Sequence, residues 1–336
     1  MKYTTLGKTG LKVSVVGLGG LPVQRTNQEE AYEIVKVCMN QGINFLDTAR
    51  GYTVSEEFFG NALKGYRDKW IIATKSMART YDAMKADIEI SLHNLQTDYI
   101  DLYQMHNLRS MEELEQCFSE NGAYKALLEA KEDGKIGHIG ATAHELKMSA
   151  RLISEYGEFI ETFMFPYNVV ENQGEDLMKE CAEKNIGFIA MKPIAGGNIE
   201  NTVLALKYIL NNPNCSIVIP GMGNADEVIQ NTSDKVFQSM SEADKKECQK
   251  IVEELGSQFC RRCGYCAPCP KGIDIPRHFI LANYVRKYDL ANWAKGGYKA
   301  LPVQGSECVK CGVCESRCPY DLPIRSLLEK AVKDLS

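Results

Sequence analysis

The chain has 336 residues, 44% of them hydrophobic and 25% charged, with a net charge of −5. That composition describes a globular chain with ample apolar side chain for a core, and the length suits one large domain plus a small one. The acidic balance and the lack of a long Lys/Arg block argue against nucleic acid as the main partner; the N-terminus has no apolar leader and no run nears the roughly 18 apolar residues of a membrane span, so a cytoplasmic protein is expected.

Residues 2–13, interrupted by Gly7 and Gly10, predict a small hairpin ahead of the main fold. Val13 to Gly20 reads as a buried strand. Its Gly17-x-Gly19-Gly20 lacks the third glycine of a dinucleotide fingerprint, and Pro22 stands where a phosphate-binding helix should open, so a Rossmann reading is rejected. From residue 28 a regular alternation begins. Ala31, Ile34, Val35, Cys38 and Met39 have helical spacing, Gly42 caps the helix, and 43–48 is the next strand. The cycle repeats: helix 55–64 with strand 70–75, 81–95 with 98–106, 123–133 with 136–142, 148–156 with 159–168, 174–184 with 186–192, and 198–211 with 215–220. Eight near-continuous apolar strands separated by helices predict a parallel sheet closed into a (β/α)₈ barrel. Two further helices are expected over 224–234 and 241–255. The composition changes at Gly256, so the domains are read as 1–255 and 256–336.

In such a barrel catalytic groups sit at the C-terminal ends of the strands. Asp47, Tyr52, Lys75 and His106 follow three successive apolar runs and so occupy those positions. A carbonyl reductase needs an acid that is protonated near neutrality yet able to release its proton. A tyrosine beside a lysine ammonium meets that need, with a buried aspartate holding the lysine and a histidine to polarise the carbonyl.

Asp47-Thr48-Ala49-x-x-Tyr52 with Lys75 and His106 resembles the catalytic tetrad of the aldo-keto reductases, over about residues 1–255. The resemblance implies a (β/α)₈ barrel, a nicotinamide dinucleotide and a small-molecule carbonyl or alcohol substrate. It also implies that Gly221, Met222, Gly223, Glu227, Gln230 and Asn231 lie in the segment holding the adenosine end, and that Thr142, Met164 and Met191 lie about the nicotinamide. Thr142 keeps a hydroxyl, but Ala143 and Met164 replace the family's other carboxamide partners, and Met191 replaces the usual stacking aromatic. Gly221 and Glu227 fall where members that bind a 2′-phosphate carry Lys and Arg. A carboxylate there repels a phosphate dianion, which favours NAD(H) over NADP(H).

Of thirteen cysteines, eight lie between Cys260 and Cys318. Cys308-x2-Cys311-x2-Cys314-x3-Cys318-Pro319 is the bacterial ferredoxin run, and Cys260-x2-Cys263-x2-Cys266-x2-Cys269-Pro270 is the same run one residue shorter. Zinc is the competing ligand, but eight thiols at near three-residue spacing with a proline after each fourth predict two [4Fe-4S] clusters in a small helical and loop domain. In two-cluster ferredoxins the fourth cysteine ligates the other cluster. That pairing groups Cys260, Cys263, Cys266 and Cys318, and separately Cys308, Cys311, Cys314 and Cys269. Helical stretches are expected over 275–301 and 324–335. The whole resembles aldo-keto reductases fused to a ferredoxin-like tail.

The expected function is carbonyl/alcohol redox with electrons linked to the two clusters and, through them, to a partner protein; a structural role for the clusters competes with electron transfer. A hydride carries two electrons and a cluster accepts one, so FMN on the same barrel is an alternative cofactor. A nucleotide-binding redox sensor without turnover is the non-enzymatic alternative.

Overall fold

The computed structural model describes residues 1–256, 258–261, 265–318 and 320–336. Among these the chain divides into two compact units, residues 1–194 with 201–241, and residues 195–200 with 242–336.

In the first unit β1 (Tyr3–Thr5) and β2 (Lys12–Ser14) form an antiparallel hairpin. Among the described residues, eight parallel strands follow: β3 (Leu18–Gly19), β4 (Phe45–Asp47), β5 (Ile71–Ser76), β6 (Ile100–Leu108), β7 (Ile136–Ala143), β8 (Thr162–Pro166), β9 (Gly187–Met191) and β10 (Ile217–Ile219). Neighbours in sequence are neighbours in the sheet. Parallel bridges Val16–Val218 and Gly19–Gly221 join its two ends, so the sheet closes into a barrel. The strand read over residues 13–20 is thus two pieces, since Val13 pairs in the hairpin and only Leu18 and Gly19 pair with β4. Gly17 lies between them where a Cβ would come within 2.9 Å of Phe45, so the close pass needs glycine.

The first crossover helix shows how the sequence sets its own ends. Asn27 and Glu30 form a reciprocal capping box ahead of Gln28–Asn40, the side chains of Ala31, Ile34, Val35 and Cys38 are buried, and Gly42 at φ 80° turns the chain into β4. Helices Ser55–Ala62, Tyr81–Leu95, Ala123–Glu132, Leu146–Tyr156, Glu175–Glu183 and Thr202–Leu210 carry the later crossovers. An extra helix, Met111–Phe118, occupies residues read as connection; Ser110 caps it by accepting from Glu113 N. The hairpin tip covers the N-terminal end of the strands: Leu6 is wholly buried, Lys8 N donates to Asn185 O, and Lys8 Nζ donates to Gly157 O.

The second unit is helical, with Glu242–Gly256, Ile275–Tyr288, Ala291–Lys299, Val313–Ser316 and Ile324–Leu335. The region 275–301, expected to contain a helical stretch, holds two helices, and Asp289 at φ 49° ends the first. One small core gathers Leu281, Ala282, Ala294, Tyr298, Ala331 and Leu335, and a second gathers Cys266, Ile273, Ile275, Leu322, Ile324 and Leu328.

Candidate functional site

The barrel interior changes character along its axis. Leu6, Phe45, Ala73, Leu102, Met164, Ile189 and Ile217 form one apolar cluster inside it. Side chains two residues apart on a strand share a face, so the same inward face that carries Phe45, Ala73 and Leu102 carries Asp47, Lys75 and Gln104 one step toward the C-terminal mouth. The polar layer therefore rests on an apolar floor.

Asp47 and Lys75 are 3% and 1% exposed, and their Oδ2 and Nζ atoms lie 2.5 Å apart. Lys75 Nζ also donates to Thr48 O at 2.8 Å, and Gln104 Nε2 donates to Asp47 Oδ1 at 3.3 Å. Burial pushes the Asp47 carboxyl up and the Lys75 ammonium down, each opposed by the other's charge and hydrogen bond. Tyr52 comes from the loop after β4. Its N donates to Ala49 O and its carbonyl accepts from Ser55 N, a tight turn in which Thr53 has φ 45°. Lys75 Nζ stands 4.9 Å from the centre of the Tyr52 ring, and the His106 ring lies 6.1 Å away, edge-on at 86°. The structure thus brings Asp47, Tyr52, Lys75 and His106 together.

His106 owes its aim to a break in β6. The register with β7 shifts between Met105 and Leu108, and Asn107 has φ 54°. Three contacts hold that kink: Asn107 N donates to the buried Thr142 Oγ1 at 2.7 Å, Asn107 Oδ1 lies 3.0 Å from His144 Nδ1, and Arg79 Nη2 donates to both His106 O and Asn107 O at 2.9 Å. Burial, with Lys75, Arg79 and Lys192 nearby, holds the imidazole well below its ordinary pKa and so neutral. Among the described residues its buried Nδ1 has no hydrogen-bond partner, nor has Gln104 Oε1.

Beyond β10, Gly223 and Glu227 come together, while Gly221 bridges back to Gly19. Asn224 Oδ1 accepts from Glu227 N, and the Glu227 carboxylate turns back to accept from Gly223 N at 2.7 Å, closing the loop ahead of helix Ala225–Asn231. Gln230 is exposed, whereas Asn231 is buried with Oδ1 lacking a partner among the described residues. The Met222 side chain packs into the layer between helices and sheet, and Met164 into the barrel interior beside a part-buried Met191.

In the second unit the cysteines surround two cavities. One, enclosing about 410 Å³ of space partly open to solvent, is lined by Cys269, Cys308, Cys311 and Cys314; the other, about 320 Å³, is lined by Cys260, Cys266 and Cys318. Cys263 lies outside the described residues. The donors are all thiols, and they ring a void rather than converging on a point. That suits a bulky sulfide-bridged cluster better than one zinc ion, whose ligands sit about 2.3 Å from the metal. Lys310 N donates to Cys308 Sγ at 3.4 Å.

Residues 15–203 match the model of the aldo/keto reductase family, and residues 259–323 match that of the 4Fe-4S dicluster domain. The chain belongs to the aldo/keto reductase family. It is therefore an oxidoreductase of that family carrying a C-terminal iron–sulfur domain. L-galactose dehydrogenase of Arabidopsis thaliana is 28% identical over 282 residues, covering 69% of this chain and 88% of that protein. Aldo-keto reductase YhdN of Bacillus subtilis is 31% identical over 206 residues, 55% of this chain and 59% of that one. The solved aldo-keto reductase AKR11C1 of Bacillus halodurans superposes with a TM-score of 0.65 at 26% identity, over 75% of this chain and 96% of its own. The family acts on small molecules, and no helix of the described residues is long and apolar enough to cross a membrane.

Several groups at this reductase's mouth were not singled out in the sequence. Gln104 could have been found, because it precedes His106 by two on one strand and so must share its inward face up to the kink. Arg79, Asn107 and His144 carry no such signal; they meet only because β5, β6 and β7 are adjacent.

Proposed function

We propose that this protein reduces a small-molecule carbonyl, or oxidises the matching alcohol, with Tyr52 as the acid and NADH favoured over NADPH. Two [4Fe-4S] clusters, held by Cys260, Cys263, Cys266 and Cys318 and by Cys269, Cys308, Cys311 and Cys314, connect the protein to a one-electron partner. The observation that carries the catalytic reading is the buried Asp47–Lys75 pair with its ammonium 4.9 Å from the Tyr52 ring.

The Lys75 charge favours the Tyr52 phenolate, so the phenol releases its proton to a carbonyl oxygen more readily than an isolated tyrosine. Asp47 keeps that ammonium in place and charged. A neutral His106 can donate a hydrogen bond to the same oxygen without competing as the acid. The chain's residues fit a dinucleotide: the Thr142 hydroxyl, its oxygen already accepting from Asn107 N, retains a proton to donate at the nicotinamide end, and the unpartnered Asn231 Oδ1 offers an acceptor at the adenosine end. Glu227 sets the choice between the two dinucleotides by repelling a 2′-phosphate. When bound, the nicotinamide would supply hydride to the carbonyl carbon, which with the Tyr52 proton completes the two-electron reduction, and the clusters would exchange single electrons only with the partner.

The test is anaerobic purification with iron, sulfide, flavin and nucleotide quantified together, followed by NADH-dependent turnover of a carbonyl panel. Tyr52→Phe should lower turnover by about 10²–10⁴-fold while the brown cluster absorbance stays intact. Unchanged turnover in that variant would remove Tyr52 from the chemistry. Stoichiometric bound flavin would move the hydride chemistry to FMN.

A further inference from the structure

The smaller cysteine cavity has a guanidinium built into its wall. Arg261 lines it together with Cys260, Cys266, Cys318 and Tyr320. The side chain is held on two sides: its central carbon lies 3.9 Å from the centre of the Tyr320 ring, and Nη1 donates to Gly256 O at 3.2 Å. Arg261 is only 8% exposed, and it directly follows Cys260 in the chain.

The larger cavity offers an internal control. Its guanidinium, Arg325, is 46% exposed and ion-paired with Glu315 at 2.6 Å. Hydrated, that charge projects a weak field, whereas a charge removed from water acts through a lower effective dielectric. An iron–sulfur cluster gains one negative charge on reduction, and net charge and solvent exposure around it are the protein's means of setting its potential. A fixed cation beside it stabilises the reduced form more than the oxidised form. An arginine is the suitable residue, since it stays protonated at any working pH.

We infer that Arg261 raises the reduction potential of the cluster held by Cys260, Cys263, Cys266 and Cys318, and that Tyr320 positions the guanidinium by stacking beneath it. This rests on the ligand grouping proposed above, which the iron and sulfide content and the two cluster signals of the wild-type protein test separately.

The experiment is an EPR-monitored redox titration of the intact holoprotein and of Arg261→Gln, Arg261→Lys and Arg325→Gln, with iron counted in each. Arg261→Gln should lower one midpoint by a tenfold change or more in the one-electron equilibrium, about 59 mV, and leave the other in place. Arg261→Lys, which keeps the charge, should titrate near wild type, and Arg325→Gln should move either midpoint by much less. An Arg261→Gln protein with full iron and unmoved midpoints overturns the inference. So does an Arg261→Lys protein that shifts as far as the Gln variant, which would make the role packing, or an Arg325→Gln protein that shifts as far. Should Arg261→Gln shed a cluster, the Lys variant decides: full iron at the wild-type midpoint supports the charge, and loss there too overturns it.

Discussion

At the barrel mouth, Asp47 and Lys75 are nearly wholly buried and sit on strands paired on both sides in the sheet. In the cysteine-rich unit the candidate ligands among the described residues sit on loops and short helical turns around two voids, backed by two small apolar cores. The first arrangement places charges by covalent scaffold and keeps them close at an electrostatic cost. The second holds its groups on loops that a bound cluster would tie together, so cluster binding is expected to add to the folding stability of that unit.

Breaking each side of that contrast should have different consequences. The largest is expected from Cys308→Ser: about half of the bound iron should be lost, and the second unit should become protease-sensitive while the barrel's thermal transition stays where it was. Iron analysis and limited proteolysis read both, and a barrel that melts earlier would deny the separation. Next, Lys75→Met strands the Asp47 carboxylate and should cost about 3–5 kcal/mol in denaturant unfolding together with most of the turnover. The double replacement Asp47→Leu with Lys75→Met should restore stability without restoring activity, since a buried pair is held for its chemistry and not for its net contribution. A smaller effect is expected from Glu227→Gln, which should raise the preference for NADPH over NADH roughly tenfold in kcat/KM. The smallest concerns His106. Its imidazole is held neutral by burial and by the Lys75, Arg79 and Lys192 charges. As pH falls below the ordinary histidine range, the unfolded chain takes up a proton that the native one refuses, so stability declines. Arg79→Gln should reduce that decline only slightly, but His106→Gln should flatten the acid limb by about one proton's slope, measured as midpoint denaturant concentration between pH 7 and 5.

How far the sequence carries such arguments depends on the range of the interaction. The strand ends were legible because apolar runs terminate at Asp47, Lys75 and His106, and a parallel βα repeat sends all such ends to one face. The helix starting at Met111 was missed because its eight residues bury only Leu114 and Cys117, too few for a period to stand out. Helix within 275–301 was legible, but the position of the break at Asp289 was not, because a left-handed residue other than glycine leaves no mark in composition.

Sequence by itself determined the barrel, the iron–sulfur tail and the identity of the charged groups, because each is encoded in local spacing: period two along a strand, 3.6 along a helix, three between cysteines. Only the tertiary structure decided that Gln104 bonds Asp47, that Arg79 and Thr142 hold the kink at Asn107, and that Glu227 closes its own loop. Those contacts join residues from about 4 to nearly 60 positions apart, and over the longer of these spans nothing in the spacing of side chains specifies distance; packing does.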